Sequence, residues 1–99
     1  MAIKIEWTEP VLQDLKTIVD YIEKEWSEAL ADKFIELVKE RIQTLSKHPY
    51  MGMASSKYKF VRSIKLSKHN KLYYRIENDT LVLLSIFDTR QHPGKNSYD

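Results

Sequence analysis

The chain has 99 residues, no cysteine, and 16 basic against 14 acidic side chains, for a formal net charge of +2 at pH 7. That length allows one domain, burying only about 60–65% of the surface its unfolded chain exposes, which leaves little room for a deep cofactor pocket. The missing cysteines exclude a disulfide framework and a thiolate metal site, and no apolar run approaches the roughly 18 residues of a membrane span.

Ile3, Ile5 and Trp7 alternate with Lys4 and Glu6, the period of a strand with one buried face. Glu6 falls where a signal peptide would need an apolar core, so the expectation is a soluble, cytoplasmic protein. Thr8 is placed to cap a helix whose first turn holds Glu9 and Pro10, where a carboxylate and a missing N–H are both favourable. Val11, Leu12, Leu15, Ile18, Val19, Ile22 and Trp26 follow at spacings of three and four, with Asp14, Lys16, Asp20, Glu23 and Lys24 on the other face. Ser27 reads as a second N-cap, and Leu30, Phe34, Leu37, Val38, Ile42 and Leu45 repeat the pattern up to Pro49. Two amphipathic helices thus form a hairpin.

Residues 46–56 lose all periodicity and read as a loop. Phe60, Ile64 and Leu66, then Leu72, Tyr74 and Ile76, resume a period of two, and the run 81–87 is apolar on both faces except for Ser85. These predict a three-stranded antiparallel meander whose last strand is central or covered on both sides. The fold class is α+β, in the order β-α-α-β-β-β, with a single domain over 1–92 and a flexible tail over 93–99.

Charge divides this domain unequally. Residues 1–46 carry six basic and ten acidic side chains, net −4; residues 47–99 carry ten and four, net +6. Lys57, Lys59, Arg62, Lys65, Lys68, Lys71 and Arg75 fall in a stretch without one acid, threaded through the predicted hairpin. A strand presents alternate side chains on opposite faces, so this stretch can bury one face and offer a row of cations on the other to a polyanion. The competing reading for each lysine is a solvated strand residue. Arg62, in phase with Phe60, Ile64 and Leu66, is equally a structural arginine or a phosphate ligand.

Several stretches carry a family resemblance: Ile5-Glu6-Trp7-Thr8, Asp14-Leu15, Asp20-Tyr21-Ile22, the Leu45, His48-Pro49 and Gly52 corner, and Val61-Arg62-Ser63-Ile64. The clearest are residues 68–76, KHNKLYYRI, and 86–93, IFDTRQHP. In this order the chain resembles the RelE/ParE superfamily of toxins from bacterial toxin–antitoxin modules, often described as plasmid-stabilisation proteins. The resemblance implies a toxin held inactive by an antitoxin encoded beside it. It also implies two unrelated targets, since RelE-like members cut messenger RNA in the ribosomal decoding site and ParE-like members poison DNA gyrase.

Cutting RNA without a metal requires help for the attacking 2′-OH, cations on the phosphate, and a proton for the departing 5′-oxygen. Where RelE-like enzymes place basic residues on the second and third strands, this chain has Lys65 and Lys71. By parity Lys65 goes with Val61 and Ser63, and Lys71 with Tyr73 and Arg75, so the two converge if those faces coincide. Arg90 lies near the basic position that ends the last strand in the RNA-cutting group, suited to a bidentate grip on phosphate. His92 and Tyr98 fall where family members use varied acid–base groups; His92 titrates near neutrality when unperturbed, and Tyr98 can stack on a base. A lysine position of RelE-like enzymes falls at Ser63. The expected activity is ribosome-dependent mRNA cleavage without cofactor or metal, with gyrase inhibition and a non-catalytic antitoxin-binding or nucleic-acid-binding module as alternatives.

Overall fold

The computed structural model describes residues 3–88. Strand β1 (Lys4–Trp7) leads into helices α1 (Glu9–Glu25) and α2 (Glu28–Lys47), followed by strands β2 (Met53–Ala54), β3 (Val61–Lys65), β4 (Asn70–Glu77) and β5 (Thr80–Asp88). Arg90, His92, Tyr98 and the whole 93–99 segment lie outside the described residues.

The five strands form one sheet in the order β1-β5-β4-β3-β2. The meander β3-β4-β5 is antiparallel as expected, but β1 pairs parallel to β5, from Lys4 beside Thr80 to Trp7 beside Leu83. The sheet is therefore mixed rather than antiparallel, because the helical hairpin carries the chain back across the sheet and β5 returns in the direction of β1. The doubly apolar β5 is interior, with Leu81, Val82, Leu83 and Ile86 all buried.

Both N-caps form as the sequence dictates. Ser27 Oγ accepts from Leu30 N at 3.1 Å. Thr8 Oγ1 accepts from Val11 N at 3.5 Å and also donates to the Leu83 carbonyl at 2.6 Å, tying the start of α1 to β5. The helices pack Val11, Ile18, Phe34, Val38, Ile42 and Leu45 onto Leu66, Leu72, Tyr74, Leu81, Leu83 and Ile86 of the sheet region. Each fully buried aliphatic side chain here is worth about 1.5–3 kcal/mol relative to exposure.

Four local expectations change. Trp26, assigned to the buried stripe of α1, is the C-cap of that helix and lies exposed. Asp14, assigned to the solvent face, instead accepts from Ser85 Oγ at 3.1 Å and Ile86 N at 3.0 Å. The ladder slips by one residue between Tyr73 and Tyr74, which pair with Ser85 and Leu83. Such an irregularity frees a backbone donor, and the carboxylate of α1 satisfies it. Residues Met53 and Ala54, inside the predicted loop, add a short edge strand to β3. Phe60, predicted within a strand, precedes β3 with φ 70° and is 80% exposed.

Candidate nucleic-acid interface and the corner beside it

Cross-strand partners share a face of a sheet, so the pairing of β3 with β4 decides whether the lysines meet. Lys65 lies opposite Lys71, Ser63 opposite Tyr73, and Val61 opposite Arg75. These rows alternate with Ile64–Leu72 and Arg62–Tyr74, whose Ile64, Leu72 and Tyr74 pack in the helix-covered core. The two faces anticipated from parity are thus one face, turned away from the helices, and Lys65 and Lys71 end it as direct neighbours. Lys65 is exposed and Lys71 half-buried.

The turn joining the strands is well fixed. Ser67 Oγ donates to Asn70 Oδ1 at 2.6 Å, and Leu66 N donates to the Asn70 carbonyl at 2.9 Å. Lys68 is exposed on this turn and His69 is half-buried. Asn70 is buried, yet its Nδ2 donor finds no acceptor among the described residues. Leaving such a group unsatisfied costs about 1–3 kcal/mol. Sequence reasoning gave Asn70 no role, since an asparagine in a turn is ordinary; only its burial beside Lys71 draws notice.

The remaining cations are placed differently. Arg75 shares that face beyond the fully buried Tyr73 and forms an ion pair with Glu77 at 2.9 Å. Arg62 points into the helix-side layer, where its guanidinium donates to the carbonyls of Gly52 at 2.8 Å and Tyr50 at 3.2 Å and lies over the Tyr50 ring. That geometry is the structural role. Lys57 and Lys59 sit in the segment before β3, with Lys57 Nζ 5.4 Å from the Tyr58 ring centroid. Among the described residues no group of three His, Asp or Glu side chains is arranged to hold a metal ion, and no helix is long and apolar enough to cross a membrane.

Arg62 belongs to a second construction, the corner after α2. Tyr74 is fully buried on β4; its hydroxyl donates to the Pro49 carbonyl at 2.8 Å and accepts from Gly52 N at 3.0 Å. Tyr74 and Arg62 together pin residues 49–52 against the sheet. Burial raises the Tyr74 phenol above its ordinary value near 10, opposed in part by the Gly52 N–H and the Arg62 charge. As pH rises past the ordinary tyrosine range toward the raised folded value, the unfolded chain releases this proton first, so stability falls. Urea midpoints measured between about pH 9 and 11 should therefore drop more steeply for the wild type than for Tyr74→Phe. At neutral pH that variant should be about 1–3 kcal/mol less stable, from the two orphaned backbone groups. Equal slopes would show that the phenol is not held neutral by the fold.

A helical hairpin packed on one face of a mixed five-stranded sheet, two of whose strands form a basic hairpin, defines a small α+β fold. The chain superimposes on the chromosomal ParDE system of P. aeruginosa with a TM-score of 0.75 at 20% identity, over 88% of this chain and 96% of that one. It is also similar to the E. coli DinJ–YafQ toxin–antitoxin complex, with TM-score 0.66 and 14% identity over 95% and 100% of the two chains. The toxin–antitoxin complex RelBE2 of Mycobacterium tuberculosis gives 0.60 and 16% over 89% and 99%. No curated protein sequence matches the chain. The family described as the ParE toxin of the type II toxin–antitoxin system parDE matches residues 5–93, and the chain belongs to that family, within the RelE/ParE superfamily. It is the toxin component of a type II toxin–antitoxin system.

Proposed function

We propose that this toxin arrests growth by cutting messenger RNA on the ribosome, with the Lys65–Lys71 end of the β3–β4 hairpin holding the scissile phosphate. The observation that carries the reading is the direct cross-strand opposition of Lys65, which is exposed, and Lys71, which is half-buried, at the turn end of the β3–β4 hairpin. Two ammonium groups on adjacent strands bracket one phosphate and stabilise charge that develops on it during attack by the 2′-OH. Arg90 supplies a third, planar cation, and His92 and Tyr98 supply the acid–base and stacking groups. Lys57, Lys59 and Lys68 extend the positive field along the strand path of the message. The partner that restrains this activity is a cognate antitoxin, as in the toxin–antitoxin complexes whose toxins share the fold.

A second reading is favoured by the description of the matching family, ParE toxin. In that reading the target is DNA gyrase and the effect is a protein contact, to which the opposed lysines contribute little. One experiment separates the two. Wild-type protein and Arg90→Ala are induced in bacteria while new messenger 5′ ends and plasmid supercoiling are followed in the same cultures. New ends within translated codons, absent in Arg90→Ala, are expected. Arrest with unchanged messenger ends and altered supercoiling would transfer the protein to the gyrase-directed branch.

A further inference from the structure

Phe60 is the most exposed large apolar residue among the described ones, at 80%, and it sits at φ 70°. A left-handed backbone suits Asn78 and Asp79 in the turn between β4 and β5, but in a phenylalanine it is strained, and the ring gains no burial in return. The loop that imposes it is closed by hydrogen bonds. Ser55 N donates to the Val61 carbonyl at 2.8 Å, and Ser55 Oγ accepts from Lys57 N at 3.1 Å and Tyr58 N at 3.0 Å. Strain held in this way collects at ligand clamps.

Three aromatic rings line one hollow. Its volume is about 320 Å³, and Tyr50, Tyr58 and Phe60 enclose it together with Ser55, Lys59 and Arg62. The Arg62 guanidinium, fixed by the carbonyls of Gly52 and Tyr50, lies 5.4 Å from the centre of the Tyr50 ring and steadies that wall. Such a volume is near the lower end of small-ligand pockets, about 300–1,000 Å³, which gives room for one planar ring system rather than a run of side chains. A wider hollow, of about 600 Å³, shares Tyr58, Lys59 and Phe60 and continues past Arg75 to Leu84. Arg75 lies opposite Val61, on the face that carries Lys65 and Lys71. At about 3.3 Å per residue, Val61 is about 13 Å from Lys65 along β3, a span that a few nucleotides of single strand bridge.

Charge and ring chemistry together select the ligand. No aspartate or glutamate occurs between Glu40 and Glu77, and Glu77, the acid that reaches the wider hollow, is already paired with Arg75. Lys57 and Lys59 flank Tyr58 immediately before Phe60. A purely apolar occupant would satisfy the rings and leave these cations unanswered, and a free phosphate would do the reverse. A nucleotide within a strand brings both, a base with two π faces and a phosphate on either side.

We infer that the Tyr50–Tyr58–Phe60 hollow is a nucleobase pocket. It takes one unstacked base of the message strand whose scissile phosphate lies at Lys65 and Lys71, stacked on the Phe60 ring, with Lys57 and Lys59 beside the flanking phosphates. This rests on the reading that the chain cuts messenger RNA. It gives that reading a source of register, because a base seated at one end of β3 decides which phosphate reaches the lysines at the other. Stacking tolerates every base, so the pocket measures distance along the strand rather than sequence.

The test titrates the purified protein with two short single strands of 2′-O-methyl RNA, which cannot supply the attacking hydroxyl. One carries a single fluorescent adenine analogue between abasic nucleotides, and the other is abasic throughout. The wild type should quench the analogue and bind its strand about 5- to 150-fold more tightly than the abasic one, the worth of one stacked base. Phe60→Gly relieves the left-handed strain and removes the ring, so it should melt no lower than the wild type, leave the analogue bright and bind the two strands alike. Phe60→Trp should restore both quenching and preference. On ribosomes carrying a message, Phe60→Gly should require about 5- to 150-fold more protein for half-maximal cleavage. Equal affinity of the wild type for the two strands, or quenching that persists in Phe60→Gly, would overturn the inference. So would weaker binding of Phe60→Gly to ribosomes without a message, with the wild type treating the two strands alike, which would give the hollow to a base of ribosomal RNA. If wild-type protein cuts no message, the proposed activity fails while the titration still decides whether this hollow takes a base.

Discussion

Gly52→Ala is expected to lower folding stability by about 2–6 kcal/mol, a large fraction of the 5–15 kcal/mol that keeps a domain folded. A methyl group at this position would overlap the Tyr74 hydroxyl and lie 2.9 Å from both the Ser63 carbonyl oxygen and Tyr74 Cε1. Two of these three obstacles belong to a fully buried ring on the central strand, and the third is backbone of β3. None can move without disturbing a ladder, so overpacking of about 1–3 kcal/mol is unavoidable. Displacing the ring also breaks the bonds to Pro49 O and Gly52 N, adding about 1–3 kcal/mol for buried groups left unpaired. Equilibrium urea unfolding reads the sum. The double variant Gly52→Ala/Tyr74→Phe should be less damaged than the separate losses add up to, because removing the hydroxyl clears the space the methyl needs. A loss below about 1 kcal/mol for Gly52→Ala would mean that the corner yields freely and does not brace the sheet.

The tyrosine–glycine brace also shows where a sequence stops being informative. Helix positions and caps were legible because they depend on local rules: Thr8 and Ser27 cap the helices at the positions their side chains dictate. The alternation around Leu72, Tyr74 and Ile76 placed β4 for the same reason. What local rules do not contain is which strand meets which. The parallel seat of β1 beside β5 arises from the path of the hairpin, and Asp14 turns inward because a slip in a distant ladder leaves a donor for it. Met53–Ala54 is too short to have a period at all. Trp26 was misplaced because its three-and-four spacing continues the apolar stripe past the last residue of α1.

For the site, parity gave the two faces and the register joined them. Whether Lys65 and Lys71 coincide or oppose depends on a turn of four residues, and a shift of one would have separated them. Arg62 illustrates the opposite outcome, since its phase with Ile64 directs it to the helix side, where two carbonyls occupy it. Phe60 was misplaced because, in sequence, it extends the apolar alternation of β3, whereas the chain there takes a positive φ and leaves the ring exposed.

The pair of lysines supplies the sharpest separation of stability from function. Lys65→Ala/Lys71→Ala should reduce messenger cleavage on the order of 10³-fold or more, since removal of even one group that stabilises transition-state charge typically costs 10²–10³-fold. Its folding stability should stay within about 0.5 kcal/mol of wild type, because neither side chain is a member of the core. Lys65→Glu sharpens the point. Opposite Lys71 it places an unlike charge in the cross-strand pair, so the sheet should lose no stability, while under the proposed mechanism a carboxylate there should repel the substrate and abolish cleavage. A variant that is fully stable and inactive is what a functional lysine pair predicts; a solvated surface pair predicts unchanged toxicity, and finding that would remove the Lys65–Lys71 pair from the mechanism. Growth arrest by Lys65→Ala/Lys71→Ala, with supercoiling altered and messages intact, would do so in favour of the gyrase-directed reading.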